Sequence, residues 1–116
     1  MTTSAARVLT ILTMLTLTGL AAPAASADET TERGHGIVNS LCSRCHAIGK
    51  SGASPRKEAP PFREISKRYP LRHLEEALAE GIVTGHNDMP AFSFEPDEID
   101  AILAYIDSIS QPNDKP

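Results

Sequence analysis

The chain has 116 residues, of which 41% are hydrophobic, and its formal net charge at pH 7 is −4. A mildly acidic chain of this length lacks the excess of positive charge that nucleic-acid-binding proteins use, and it is long enough for one small domain. With two cysteines and no tryptophan, it is not a disulfide-rich scaffold, so we expect a metal or a cofactor to supplement a modest core.

The first 27 residues have the pattern of a secretory signal peptide. Arg7 precedes the apolar run VLTILTMLTLTGL, and Ala25, Ser26 and Ala27 form a small-residue A-x-A site. The apolar run is short for a membrane-spanning helix, so a retained anchor is the weaker alternative. We expect cleavage after Ala27 and export to the periplasm. The mature chain would then have fifteen acidic and ten basic residues, a net charge of −5.

Helical patterns alternate with loops in the mature chain, with little sign of strands. The first predicted helix begins where Thr30 or Thr31 can cap it and leads into the segment LCSRCHAIG. One side of this helix carries Ile37, Val38, Leu41 and Cys45. The segment GKSGASPRKEAPP then predicts a loop, and FREISKRY predicts a short second helix.

The third and fourth predicted helices both begin at a proline. Pro70 suits the first position of the third helix and Gly81 its end. The apolar face of that helix consists of Leu71, Leu74 and Leu78. Pro96 begins the fourth helix, whose predicted buried face consists of Ile99, Ile102, Leu103, Ile106 and Ile109. Together these elements predict an all-α domain over residues 28–110 and a flexible tail over 111–116.

Both cysteines of the chain lie in a C-x-x-C-H motif formed by Cys42, Cys45 and His46. A zinc site would need four ligands at suitable spacing, and the other histidines show no paired pattern. A pair active in thiol–disulfide exchange would belong in a βαβ context, which a helical chain lacks. In an exported protein the motif indicates a covalent c-type haem, with His46 as an axial ligand of the iron. A simple Cys42–Cys45 disulfide is the alternative if no haem is attached.

A candidate for the second axial ligand lies in the loop GIVTGHNDMPAFSF, where Met89 precedes Pro90. A thioether suits haem iron, and His/Met ligation raises the reduction potential. Methionine is more often a core residue. Met1 and Met14, however, belong to the predicted signal peptide, so Met89 is the one methionine of the mature chain. We therefore predict His46 and Met89 as the iron ligands.

The mature chain resembles the class I c-type cytochromes over essentially its whole length. The resemblance rests on the order of a first helix, C-x-x-C-H, a proline-bearing loop, middle helices, an M-P loop and a terminal helix with an aromatic residue. It implies the cytochrome c fold, in which the N- and C-terminal helices cross closely. Gly34 and Val38 would then face Ile102 and Tyr105.

The resemblance also implies roles around the haem. The carbonyl of Pro60 would accept a hydrogen bond from Nδ1–H of His46, which fixes the tautomer and strengthens the ligand. Phe62 would pack against the haem, and Leu74 and Leu78 would line its pocket.

Other roles stay open, because the chain lacks the tryptophan that binds a haem propionate in larger family members. Candidates for that role are Tyr69, Arg56 and Arg72, and the spacing selects none of them. We expect His35 and His73 to be structural. His86, three residues before Met89, is the competing candidate for an iron ligand.

From this resemblance we expect a monomeric, non-enzymatic carrier of single electrons in the periplasm, with one haem c. Its partners would be redox proteins: a periplasmic dehydrogenase, a cytochrome complex or a terminal oxidase. No membrane span is expected after signal cleavage. One alternative is a haem subunit bound to a periplasmic dehydrogenase. Another is a haem sensor or peroxidase-like protein, in which a small molecule displaces Met89.

The charges of the mature chain are unevenly distributed. Eight basic and two acidic residues give residues 44–73 a net charge of +6, whereas ten acidic residues and one lysine give residues 74–116 a net charge of −9. Such a dipole would orient the protein toward a partner with an acidic docking face. We expect Lys50, Arg56 and Lys57 to contribute most to this steering.

Overall fold

The computed structural model describes residues 24–81 and 88–110. Within these ranges the chain forms four helices and no strand. The helices are α1 (Ala27–Leu41), α2 (Phe62–Arg68), α3 (Arg72–Glu80) and α4 (Pro96–Ser110). The prediction of an all-α fold is therefore confirmed. The tail over 111–116 and most of the predicted signal peptide lie outside the described residues.

Helix α1 begins earlier than the sequence predicted. The side-chain oxygen of Ser26 accepts a hydrogen bond from the backbone N–H of Glu29 at 3.2 Å and caps the helix before Ala27. Thr30, one of the two predicted caps, lies inside the helix and donates its hydroxyl to the carbonyl of Ser26. Both residues are good caps, and the earlier one adds a turn to the helix. The helix thus spans the predicted cleavage point after Ala27.

Helices α2 and α3 are short and close to one another in the chain. Helix α2 starts where the N–H of Phe62 donates to the carbonyl of Ala47 at 2.9 Å, which ties the helix to the segment after the C-x-x-C-H motif. Pro70 is not the first residue of α3, because it belongs to a tight turn in which its carbonyl accepts from His73. Gly81 ends α3 as predicted, with a φ of 94° that favours glycine.

Helix α4 packs against the other three helices, most extensively against α1. The centre of the core consists of Val38, Phe62, Ile102, Ile106 and Ile109. The predicted buried face of α4 was wrong at one position: Leu103 is half-buried, whereas Ala101 is fully buried. Ala101 faces the crossing with α1, where Gly34 allows the two backbones to approach. The predicted crossing of the terminal helices is present.

No helix within residues 24–81 and 88–110 combines the length and the hydropathy that a membrane span requires.

Candidate functional site

The cysteine motif forms a tight turn directly after α1. The backbone N–H groups of Cys45 and His46 both donate to the carbonyl of Cys42, at 3.1 and 3.0 Å. Both thiols are free and half-buried. Burial raises the pKa of the Cys42 thiol to about 11. Thiols that exchange disulfides have a lowered pKa, so the environment of Cys42 does not favour that chemistry.

His46 is held by the loop that precedes α2. Its side chain is buried, and its Nδ1 lies 2.8 Å from the carbonyl oxygen of Pro60. A carbonyl oxygen can only accept, so Nδ1 is the donor in this contact, and in the neutral tautomer with this hydrogen bond Nε2 is the nitrogen with the lone pair. The ring of Phe62 lies 5.0 Å from the imidazole, centroid to centroid. The structure therefore places the Pro60 carbonyl and the Phe62 ring directly beside the imidazole of His46.

The loop between His46 and α2 is fixed by contacts that the sequence did not indicate. The guanidinium of Arg63 donates to the carbonyls of Gly49 at 3.3 Å and Gly52 at 2.7 Å. The hydroxyl of Tyr105, on α4, donates to the carbonyl of Ile48 at 2.8 Å. These contacts are long-range in sequence, so helical periodicity carried no signal for them. They hold the carbonyl-rich loop against α2 and α4.

Two adjacent cavities of about 260 and 440 Å³ lie beside His46. They share Cys42, His46, Phe62, Met89, Pro90 and Phe92 as lining residues. The larger cavity extends between the helices, where its other lining residues are apolar except for the Tyr69 hydroxyl and the Pro60 carbonyl: Pro60, Ile65, Tyr69, Leu74, Leu78, Phe94, Ile102 and Ile106. The pocket is therefore large, concave and mostly apolar, as cofactor sites are. Leu74 and Leu78 line it as expected, whereas Phe92 and Phe94 were not predicted.

Met89 lines both cavities together with His46 and is half-buried. The residue before it, Asp88, accepts a hydrogen bond from Arg56 at 2.6 Å. His86, the competing candidate for an iron ligand, lies outside the described residues. Within the described residues, the imidazole and the thioether are thus brought to one pocket.

The other predicted candidates divide between the pocket and the surface. Arg56 lines the smaller cavity and Tyr69 the larger, whereas Arg72 is exposed and lines neither of them. His35 packs on the ring of Tyr105, with centroids 5.0 Å apart. His73 is exposed on α3. Of the three propionate candidates, the structure places two at the pocket.

The residues present fit a c-type haem. Two free thiols, an imidazole whose Nδ1 contacts a carbonyl and a thioether converge on a mostly apolar pocket. This donor set combines the attachment motif with the His and Met ligands that haem iron accepts. In residues 24–81 and 88–110 no group of three or more His, Cys, Asp or Glu side chains is placed to hold a metal ion.

Comparison with known proteins also indicates a c-type cytochrome. The family model described as cytochrome c oxidase, cbb3-type, subunit III matches residues 29–106, which include all four helices except the ends of α1 and α4. Neither the curated proteins nor the solved structures give a match. The match covers the cysteine motif, the Pro60 loop and Met89. The chain therefore belongs to the family of cbb3-type cytochrome c oxidase subunit III domains, and it is a class I c-type cytochrome with the cytochrome c fold.

Proposed function

We propose that this protein is a periplasmic carrier of single electrons that holds one haem c, with His46 and Met89 as axial ligands. The observation that carries the proposal is that both side chains line the same two cavities. Cys42 and Cys45, which also line the smaller cavity, would attach the haem covalently. When bound, the haem supplies an iron that gains and loses one electron.

The protein's own residues determine how the site works. The carbonyl of Pro60 engages Nδ1 of His46, so Nε2 would be the nitrogen that binds the iron. The aromatic and aliphatic lining excludes water and favours the form of the iron with the lower charge. A thioether from Met89 acts in the same direction, because it raises the reduction potential. No protein group is required to move a proton in this function.

Exchange of the sixth ligand tests the proposed ligation. Met89→Ala is expected to let carbon monoxide bind to the ferrous protein rapidly, to lower the reduction potential and to remove the absorption band of an iron–thioether bond. His86→Ala is the matched control, and it is expected to leave all three properties unchanged. If Met89→Ala changes none of them and His86→Ala changes them, His86 is the ligand and the proposal for Met89 is wrong.

A second candidate function is that of a haem subunit held in a larger complex. The description of the matching family, an oxidase subunit, favours this candidate, and it makes a terminal oxidase the first partner to test. Mild purification from periplasm and membranes separates the two functions. A free carrier elutes as a monomer from the periplasmic fraction, whereas a bound subunit elutes with the oxidase or with a dehydrogenase.

A further inference from the structure

Arg56 joins the two sides of the pocket. Its guanidinium Nη2 lies 2.6 Å from the carboxylate Oδ2 of Asp88, the residue that precedes Met89. Both residues line the smaller cavity together with Met89. A charge-assisted hydrogen bond of this length is at the strong end for such pairs. The ion pair therefore connects Arg56 to the residue next to Met89, although the two paired residues are 32 positions apart in the sequence.

The backbone of Arg56 is fixed at the other side of the pocket. Its N–H donates to the carbonyl of Cys45 at 3.1 Å, and its carbonyl accepts from the N–H of Ala59 at 3.0 Å. Cys45 is adjacent to His46 and belongs to the turn that carries both thiols. Because its backbone is tied to this turn, the side chain of Arg56 connects the histidine side of the pocket to the methionine side.

We propose that Arg56 is a positioning residue, whose ion pair with Asp88 holds Met89 in the cavity beside His46. The inference rests on the proposed His46/Met89 ligation. If Met89 is an iron ligand, an external ligand can replace it only when the thioether moves away, and the ion pair at the preceding residue, Asp88, would slow that movement. Exposed ion pairs contribute little, and the side chains of Arg56 and Asp88 are 44% and 66% exposed. We therefore expect an effect of about two- to fivefold on the rate of ligand exchange.

Two other roles for Arg56 make different predictions. A guanidinium that acts only through its charge raises the reduction potential, and the carboxylate of Asp88 lowers it, so neutralising each of them shifts the potential in opposite directions. If Arg56 instead binds a haem propionate, the removal of Asp88 should leave ligand exchange unchanged. Only the positioning role predicts that removal of either partner changes ligand exchange in the same direction.

Glu58 is a second carboxylate near Arg56, but its Oε2 lies 3.9 Å from Nε of Arg56. That distance exceeds a hydrogen bond. Glu58 also lines the smaller cavity, so Glu58→Gln removes a charge from the same place without breaking the short pair. Lys57→Gln is the matched control for loss of a positive charge, since Lys57 is exposed in the same loop.

The experiment measures carbon monoxide binding to the ferrous holoprotein by stopped flow and the reduction potential by titration. The variants are Arg56→Gln, Asp88→Asn, the double neutral variant and the exchanged pair R56D/D88R. Both single variants are expected to bind carbon monoxide about two- to fivefold faster than the wild type. The double variant should be no faster than either single variant, because one interaction is lost in each case. The exchanged pair should recover part of the wild-type rate.

Unchanged rates in Arg56→Gln and Asp88→Asn, with Met89→Ala fast, would overturn the positioning role and leave the ligation intact. Opposite shifts of the potential without faster binding would assign Arg56 a purely electrostatic role. Equal acceleration by Lys57→Gln or Glu58→Gln would also overturn the proposal, because those changes leave the short pair in place. If Met89→Ala itself binds carbon monoxide no faster than the wild type, Met89 is not the iron ligand, and the proposed ligation is wrong independently of the role of Arg56.

Discussion

Gly34 on α1 lies against the carbonyl group of Ala101 on α4. A Cβ placed on Gly34 would lie 2.6 Å from the carbonyl carbon of Ala101 and even closer to its oxygen, and it would lie 2.9 Å from Cβ of Tyr105. Carbon atoms in contact are normally about 3.5–4.0 Å apart. The crossing of the two helices at this point therefore depends on the absence of a side chain at residue 34.

This crossing can be tested by adding a single methyl group. Gly34→Ala should destabilise the holoprotein by about 1–3 kcal/mol, because backbone atoms of α4 must move to accommodate the Cβ. Gly36→Ala is the control on the same helix: nothing lies within 4 Å of its added Cβ, so its higher helix propensity should make it neutral or stabilising by up to about 1 kcal/mol. Denaturant unfolding measures both. Equal stability of the two variants would contradict the close crossing.

Covalent attachment should depend on both cysteines. Cys42→Ala or Cys45→Ala should leave one thioether bond or none, and the double variant should yield a largely unfolded apo-protein, because a small core loses its largest apolar component. Denaturing electrophoresis with haem staining measures attachment. Ser43→Ala, between the two cysteines, is the control and should stain like the wild type. Full staining of the double cysteine variant would reject attachment through the motif.

Tyr105 should make stability fall at alkaline pH. Burial, and to a lesser degree the charge of Glu32, raises the pKa of Tyr105 above its usual value of 10.0. Its hydroxyl donates to the carbonyl of Ile48 at 2.8 Å, and the phenolate cannot donate. Because the folded pKa is the higher one, this contribution is complete below pH 10.0 and is lost as the pH rises through the folded pKa.

Tyr105→Phe isolates this contribution. At neutral pH the variant should be less stable by about 1 kcal/mol, the usual worth of one hydrogen bond. The difference from the wild type should shrink above pH 10.0, as the wild type loses its own hydrogen bond. Denaturant unfolding at a series of pH values measures it. A difference that stays constant through the alkaline range would show that the Tyr105 hydroxyl does not titrate in this way.

The basic half of the chain should steer docking. Because Arg56 is paired with Asp88, substituting it would also break that ion pair, so the docking test leaves Arg56 unchanged. Lys50→Glu/Lys57→Glu should slow electron transfer to the natural partner several-fold at low salt and much less at high salt, since screening acts beyond about 10 Å at 0.1 M. The reduction potential should hardly change. Glu75→Lys/Glu76→Lys on the exposed part of α3 is the matched control.

Stopped-flow transfer rates distinguish the two halves of the surface. Equal transfer rates for Lys50→Glu/Lys57→Glu and the wild type at low salt would exclude Lys50 and Lys57 from the docking face. Slower transfer in Glu75→Lys/Glu76→Lys, with no change in Lys50→Glu/Lys57→Glu, would place the docking face on the acidic half, residues 74–116.

The sequence was most informative where one short motif determines the chemistry. C-x-x-C-H identifies both thiols and the imidazole without any tertiary information, and helix-breaking residues such as Gly81 and Pro96 mark ends that the structure has at the same positions. The all-α fold followed from these signals. The start of α1 was wrong because Ser26 and Thr30 are both acceptable caps, and local preference does not rank them.

Contacts between distant segments had no signal in the sequence. Arg63 looked like one of many charges on a short helix, yet it holds the carbonyls of Gly49 and Gly52. Arg56 was a candidate for a propionate or for docking, and the structure pairs it with Asp88. Such pairs depend on how loops fold back on the core, which helical periodicity does not describe.

The absorption spectrum of the purified protein in alkaline pyridine shows whether the chain carries a covalently attached haem. We expect one haem per chain, with the spectrum of a haem attached through two thioether bonds, and we expect that acidic organic solvent does not extract this haem. Haem that extracts into the solvent, or a chain that carries none when it is produced with an active haem-attachment system, would contradict the claim that Cys42, Cys45 and His46 form a c-type haem site.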